Sequence, residues 1–171
     1  LQGLTCPLVW EPSGRPRLRF FFFQFRIAVN LTQLVPMKVF ISHSHKQGQW
    51  VWERLVPILR AAGCAELFID RERFKAGREL MAQMDSWQDQ ADLSLLVLSR
   101  DYLASKPCRH EMERAIAADP GFKLGRILPV QRSACDLSVL KKRSKTLLWV
   151  NLTDDREPQG WDLLLRSLQA V

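Results

Sequence analysis

The feature that most constrains the fold is a regular alternation of short apolar runs and amphipathic segments, which begins at Met37. The apolar runs are rich in β-branched and aromatic residues and predict β-strands. Between most of them, apolar residues recur at the three- to four-residue spacing of an α-helix. Strands that alternate with helices in this way predict βαβ units and a parallel sheet. The five predicted strands are residues 38–42, 65–69, 93–98, 126–130 and 146–150.

The run at residues 93–98, LSLLVL, is the most apolar segment after Met37. A strand covered on both faces needs apolar residues at consecutive positions, so this run is predicted to be the central strand. Five parallel strands with helices on both faces predict an α/β, flavodoxin-like fold. In such folds, ligands bind in the crevice at the carboxyl ends of the strands.

Four helices are predicted between and after these strands. The third is capped by Ser105, carries Pro107 in its first turn and stops at the Asp-Pro-Gly sequence 119–121. The first ends at Gly63, a residue type common just after helices. The predicted apolar faces are Val51, Leu55, Ile58, Leu59 and Ala62 in the first helix, Leu80, Met81, Met84 and Trp87 in the second, and Trp161, Leu164, Leu165 and Leu168 in the last, which covers residues 161–170.

Residues 1–36 differ in character from the rest. They contain four prolines, four consecutive phenylalanines and four arginines against one glutamate, with no clean helical or strand period. The order of charged and apolar residues is not that of a signal peptide. We expect residues 1–36 to be a leader derived from cloning or from upstream translation, and residues 37–171 to be the domain. The alternative is an extension whose phenylalanine-rich run packs on the domain or on a partner.

The net charge of +7 invites a nucleic-acid interpretation. The leader contributes +3 of it, however, and much of the remaining +4 lies in one run, Lys141, Lys142, Arg143 and Lys145. No aromatic residues are interleaved with this run and no recognition helix is apparent, so a solvated face is predicted and nucleic-acid binding is not.

Neither a membrane span nor a disulfide framework is predicted. The longest apolar stretch, residues 18–35, is interrupted by Arg19, Gln24, Arg26 and Asn30. The four cysteines form no CxxC pair, so neither a zinc ribbon nor a redox motif is indicated. Because no secretion signal is recognisable, we expect reduced thiols in a cytoplasmic protein.

Several site types are excluded at the predicted strand ends. No glycine-rich loop of the dinucleotide or P-loop kind follows any strand. A response regulator would need acidic residues after the first and third strands, where this chain has residues 42–45, Ser-His-Ser-His, and Ser99. His43 and His45 lack the third ligand of a metal site, and these serines and histidines share one turn without an orienting carboxylate, which argues against a hydrolase triad.

Glu111 is the most informative acidic residue near this crevice. It lies in the first turns of the helix after the central strand, where Cys108 shares its helix face and Glu113 points elsewhere. A carboxylate at this edge can stabilise positive charge on a sugar carbon or hold ribose hydroxyls. A glutamate on a helix is more commonly a solvated surface residue, so the surrounding pattern has to decide.

The pattern from Met37 onward resembles a Toll/interleukin-1 receptor (TIR) domain of the bacterial type. The resemblance covers residues 37–171 and depends on five segments in the family's order and spacing. They are residues 39–44 (VFISHS), 67–70 (LFID), 91–99 (ADLSLLVLS), 101–105 (DYLAS) and the Cys-x-x-Glu pattern at 108–111.

The resemblance implies a flavodoxin-like fold and cleavage of NAD+ at the nicotinamide–ribose bond, which yields nicotinamide and ADP-ribose or a cyclic isomer. NAD+ would be the substrate, with no metal and no further cofactor. Self-association through TIR–TIR contacts is expected, as is a separate sensor or effector partner, in bacterial antiviral defence or effector function. The catalytic residue would be Glu111, and the substrate-binding residues Phe40, Ser42, His43, Ser44, Asp70, Phe74, Gly77 and Cys108.

The chain departs from the bacterial TIR pattern at three positions, where it has Gln47, Ala76 and Pro107. The family's usual residues there are an aspartate near the strand-one turn, a proline before the loop glycine, and a tryptophan that forms an aromatic wall of the pocket. The main alternative is therefore a non-enzymatic TIR module that signals through TIR–TIR contacts. Adaptor-type members generally lack the helix glutamate, so Glu111 favours the enzyme. A related flavodoxin-like enzyme acting on nucleosides or nucleotides is the third interpretation.

Overall fold

The computed structural model describes residues 37–64, 66–69 and 79–169. The leader predicted at residues 1–36 lies outside the described residues, as do three of the predicted substrate-binding residues, Asp70, Phe74 and Gly77.

Within the described residues, a five-stranded parallel sheet forms the centre of the domain, with strand order β2-β1-β3-β4-β5. The third strand lies in the middle of this order and all six of its residues are buried, which confirms the prediction of a central strand. The strand bounds are β1 Lys38–Ser42, β2 Glu66–Phe68, β3 Leu93–Leu98, β4 Ile127–Gln131 and β5 Val150–Asn151.

Helices cover both faces of the sheet, and the flavodoxin-like α/β fold is confirmed. Their bounds are α1 Gly48–Trp50, α2 Val56–Ala61, α3 Leu80–Gln90, α4 Arg100–Ala104, α5 Lys106–Ala118, α6 Ser138–Lys141 and α7 Pro158–Leu168.

Side chains alternate across β3, so Leu93, Leu95 and Val97 join one buried cluster while Leu96 and Leu98 join another. We call the first the α2/α7 core, which includes Val39, Ile41, Leu55, Leu59, Val130, Leu164 and Leu168. The second is the α4/α5 core, which includes Tyr102, Cys108, Met112, Ile116, Ile127 and Leu140.

The first predicted helix is interrupted by a wider turn. Residues Val51–Leu55 are π-helical, and the backbone N–H of Val56 donates to the carbonyl of Val51, five residues earlier. Pro57 follows directly and has no N–H, so the carbonyl of Glu53 loses its ordinary α-helical donor, which favours such a local change of winding. The segment ends before Gly63, whose φ of 88° explains the glycine.

The fifth strand is shorter than predicted. The apolar run at 146–150 predicted a strand, but only Val150–Asn151 pair with β4. Leu147 and Trp149 instead pack against the α4/α5 core, and Leu148 is 70% exposed. An apolar run thus indicates that its side chains are buried. Here they are buried by packing on the core, without pairing in the sheet.

The sequence patterns also missed two short helices, and part of one helix face was predicted incorrectly. The helices α4 and α6 are too short to show an apolar period and were not predicted. In α3, Leu80 is 50% exposed rather than buried, and the buried positions are Met84 and Gln88. The helix therefore turns its polar Gln88 inward, which an apolar pattern does not indicate.

The basic run is exposed, as predicted for a solvated face. Lys141, Lys142, Arg143 and Lys145 are exposed at and after the end of α6, where the Lys141 ammonium lies 5.1 Å from the centre of the Trp149 ring. The described cysteines, Cys64, Cys108 and Cys135, are free thiols. Burial raises the pKa of the Cys64 thiol to about 11, so it is neutral near pH 7. Among the described helices, none has the length and apolar character to cross a membrane.

Gly160 in α7 is a position where an added methyl group has no room. A β-carbon there would lie 2.3 Å from the carbonyl oxygen of Asn151 and 2.7 Å from Leu152. We expect Gly160→Ala to lower the free energy of unfolding by about 1–3 kcal/mol, although alanine favours a helix by about 1 kcal/mol. Gly48→Ala is the control, because its nearest contact, with His43, would be at 3.8 Å. Urea unfolding in which Gly160→Ala is as stable as Gly48→Ala would contradict this prediction.

Candidate active site

Two capped helices bring the candidate residues to the carboxyl edge of the sheet. Ser99 follows β3 directly, and its hydroxyl accepts a hydrogen bond from the backbone N–H of Tyr102 at 3.0 Å, which starts α4. Ser105 caps α5 by accepting from the N–H of Cys108 at 3.5 Å, as predicted. The two caps set where Tyr102 and Glu111 emerge beside the end of β1.

Glu111 is a buried carboxylate. Only 3% of the residue is exposed, and Oε2 accepts a short hydrogen bond from the hydroxyl of Ser42, the last residue of β1. Its backbone carbonyl accepts a second bond from the side-chain amide of Gln88, at 2.8 Å. Glu113 is exposed. Of the two glutamates in α5, the one singled out by its position is thus the one held inside the fold.

The hydroxyl of Ser42 also lies 2.7 Å from the phenolic oxygen of Tyr102. Tyr102 is fully buried, and this burial, reinforced by the negative charge of Glu111, raises the pKa of its phenol well above its ordinary value. The phenol therefore keeps its proton at physiological pH and can donate a hydrogen bond.

The turn after β1 is fastened to the start of α5. The thiol of Cys108 donates to the carbonyl of His43 at 3.5 Å, and both residues are buried. The Nδ1 atom of His43 lies 3.5 Å from the carbonyl of Ile41. The hydroxyl of Ser44 is buried and has no hydrogen-bond partner within the part of the chain that the structure describes.

A cleft opens beside Glu111 between β1, the turn after it and α3. The ring of Trp87 forms one wall, and it stacks on Phe68 with ring centres 6.4 Å apart and an angle of 17° between the planes. The described lining residues are Phe40, Ile41, His43, Met84, Trp87 and Glu111. The arrangement combines one carboxylate with aromatic and apolar walls, the chemistry that suits a cationic aromatic ring next to a sugar. The space between these side chains is about 10 Å³, room for about one water molecule, so the walls have to move apart to admit such a ring.

Ion pairs hold α3, and with it this aromatic wall, against α5. The side chain of Arg114 pairs with Asp89 at 2.5 Å and with Asp85 at 3.5 Å, and His110 lies 3.0 Å from the same Asp85. Partly exposed pairs of this kind contribute about 0–1 kcal/mol each, so their role is orientation of the two helices more than stability.

Comparison with known families agrees with the fold described above. A family model described as "TIR domain" matches residues 39–165, which is most of the chain. The chain belongs to the TIR-domain family. A sequence search of curated proteins found no match.

Solved TIR domains share the fold. One is the TIR domain of the Toll-related receptor TRR-2 from Hydra magnipapillata, with a TM-score of 0.63 and 19% identity over 77% of this chain and 97% of that one. Another is in the activated Roq1 resistosome that recognises the pathogen effector XopQ, with a TM-score of 0.51 and 21% identity over 78% of this chain and 80% of that one. At these sequence identities, the comparison shows a similar fold and nothing further.

The TIR fold brings most of the predicted site residues together in two layers. Phe40, His43 and Glu111 line the cleft, whereas Ser42 and Cys108 bond to other parts of the protein behind it. Ser44 is buried in the same turn. The predicted roles of these residues in catalysis and substrate binding remain predictions, as do those of Asp70, Phe74 and Gly77.

Sequence reasoning missed four residues around the site of this TIR domain. Met84 and Trp87 were placed on an apolar helix face but not assigned to the cleft, although an aromatic residue on a helix next to β1 was an available signal. Tyr102 stood in the segment 101–105 without a role. Gln88 carried no signal, because a glutamine near a helix end is ordinarily a surface residue.

Proposed function

We propose that this TIR domain cleaves NAD+ at the bond between the nicotinamide nitrogen and the ribose C1′ carbon, with Glu111 as the catalytic residue. The electron pair of that bond passes to the ring nitrogen, and neutral nicotinamide leaves. Water, which releases one proton to solvent, or the adenine of the same molecule then forms the new bond to C1′. The products are nicotinamide and ADP-ribose or a cyclic isomer.

The observation that supports this proposal most directly is the buried carboxylate of Glu111 at the edge of an aromatic cleft. Nicotinamide is already a good leaving group because its ring nitrogen is cationic in NAD+. The enzyme has mainly to orient the ribose and stabilise the positive charge that develops at C1′ and the ring oxygen. A fixed carboxylate shielded from water stabilises such charge far more than one in solution does.

Trp87 provides the aromatic surface for the cationic nicotinamide ring in this proposal. The family tryptophan expected before Cys108 is replaced by Pro107, which is exposed, whereas Trp87 shares the cleft with Glu111. An aromatic face stabilises a bound cation by about 0.5–2 kcal/mol.

We therefore expect Trp87→Ala to raise KM for NAD+ about 3- to 10-fold, and Trp87→Phe to retain most of the affinity. Steady-state kinetics of nicotinamide release would measure this. Trp52→Ala is the matched control, because Trp52 is half-buried against the α2/α7 core, away from the cleft. An equal rise of KM in Trp52→Ala would show that Trp87→Ala raises KM by destabilising the fold and not by removing a contact with NAD+.

The proposal includes self-association through TIR–TIR contacts, in the cytoplasm and in bacterial immune defence, together with a separate sensor or effector protein. It is supported by the fold shared with TIR domains of an assembled resistosome that recognises a pathogen effector. A site completed between neighbouring copies would make the activity depend on protein concentration.

The test is to incubate the protein with NAD+ over a range of protein concentrations and to follow nicotinamide and ADP-ribose by chromatography. We expect release that rises more steeply than linearly with protein concentration and that is lost in Glu111→Ala. Release that survives Glu111→Ala would contradict the role of Glu111. No release at any concentration would favour the non-enzymatic TIR module.

A further inference from the structure

Three buried side chains from three separate elements form a continuous hydrogen-bonded chain, the Tyr102–Ser42–Glu111 relay. Tyr102 lies in α4, Ser42 ends β1, and Glu111 lies in the second turn of α5. Their exposed fractions are 0%, 1% and 3%, so water does not compete for these bonds. The serine hydroxyl joins the other two groups, since it contacts both the phenolic oxygen and the carboxylate.

The chemistry of the groups determines the direction of the relay. An ionised carboxylate can only accept hydrogen bonds, so the single hydroxyl hydrogen of Ser42 points to Glu111. The oxygen of Ser42 is then an acceptor, and the phenol of Tyr102, 2.7 Å away, is the donor. Both hydrogens thus point toward the carboxylate, and each bond polarises the next.

We propose that Ser42 and Tyr102 are positioning residues, which hold the Glu111 carboxylate in one rotamer and in its ionised form through this relay. The inference rests on the proposed function and deepens it. It assigns Ser42 a role different from the substrate contact expected of it, because its hydroxyl is engaged by Tyr102 and Glu111. It also gives Tyr102 a role in the reaction, beyond its packing in the α4/α5 core.

The relay predicts a specific pattern of kinetic and titration effects. A hydrogen bond donated to the charged form of an acid lowers its pKa, so removing the donor raises it. In Ser42→Ala we expect the pKa of Glu111 to rise by about 1–2 units, since a bond to a charged group is lost. In Tyr102→Phe, which keeps the ring in the core, we expect a rise of about 0.5 units.

Activity requires the ionised carboxylate, so it falls as the pH drops through the pKa of Glu111. The acid limb of the kcat profile should therefore move to higher pH in both variants, while KM stays within about threefold of wild type. Among the described side chains, the other titratable groups that face the relay are His43 from the turn after β1 and Cys108 from α5, and both variants leave them in place.

The direct measurement is a pH titration of the Glu111 carboxyl carbon by NMR in protein labelled with carbon-13 glutamate. The resonance is assigned as the one missing from Glu111→Gln, and it is followed in wild type, Ser42→Ala and Tyr102→Phe. Leu164→Ala is the structural control, because Leu164 is fully buried in the α2/α7 core, which includes none of Ser42, Tyr102 and Glu111. It should lower stability and leave the pKa of Glu111 unchanged.

The outcomes separate this inference from the proposed function. A pKa of Glu111 that is the same in wild type, Ser42→Ala and Tyr102→Phe would overturn the relay, whatever the activity. A raised KM with unchanged kcat in Ser42→Ala would also overturn it, because that pattern marks a substrate contact. If wild type releases no nicotinamide, the proposed function fails, while the titration still decides whether the relay sets the ionisation of Glu111.

Discussion

Replacing Glu111 by glutamine is expected to reduce kcat for NAD+ cleavage by about 10²–10³-fold, the usual loss when a preorganised group that stabilises transition-state charge is removed. Glutamine has nearly the same shape and still offers an oxygen to the hydroxyl of Ser42, so the packing around α5 is retained. What it lacks is the negative charge. Because the charge matters most as positive charge develops on the ribose, the loss should fall on kcat more than on KM.

The matched control for this variant is Glu113→Gln. Glu113 lies on the same helix two residues away but is exposed, so its replacement removes the same charge from the surface. We expect its kcat to stay within about twofold of wild type, because solvent screens the exposed charge. Circular dichroism and urea unfolding would show that both variants are folded. A Glu111→Gln enzyme as active as Glu113→Gln would exclude the assigned role of the carboxylate.

The largest effect on stability is expected for Leu95→Ala. Leu95 is fully buried in the middle of β3, between β1 and β4, and packs in the α2/α7 core. Removing a buried leucine side chain loses its transfer free energy and leaves a cavity, which together amount to about 2–5 kcal/mol. That is a large part of the roughly 5–15 kcal/mol by which a domain is stable. Urea unfolding would show a lower midpoint.

Leu124→Ala is the control for this prediction, because the side chain of Leu124 is 66% exposed. Its effect should stay within about 0.5 kcal/mol. The prediction would be wrong if the two leucine variants unfolded at the same urea concentration, since burial would then not distinguish the two positions.

The order of elements and the buried strands followed from local patterns. The mostly apolar run at 93–98 predicted the central strand, because a strand covered on both faces needs apolar residues at consecutive positions. The cap at Ser105 and the stop at Asp119 were predictable because the physics of helix ends is local. Asp119 indeed ends α5 and accepts hydrogen bonds from the N–H groups of Lys123 and Leu124.

Local patterns failed where long-range packing decided the outcome. The run at 146–150 was apolar because Leu147 and Trp149 pack on the α4/α5 core, which strand periodicity does not distinguish from sheet pairing. Gln88 was not predicted to be buried, because its partner is the backbone carbonyl of Glu111, on another helix. No sequence pattern records such a bond.

The sequence by itself determined the parallel α/β architecture, the family pattern and the choice of Glu111 over Glu113. All of these depend on the order and spacing of residues along the chain, which the sequence records directly. Only the tertiary structure decided that the carboxylate is buried, that the hydroxyl of Ser42 joins it to Tyr102, and that Trp87 forms a wall of its cleft. The relay joins residues 42, 102 and 111, and such contacts exist only once β1, α4 and α5 meet at the carboxyl edge of the sheet.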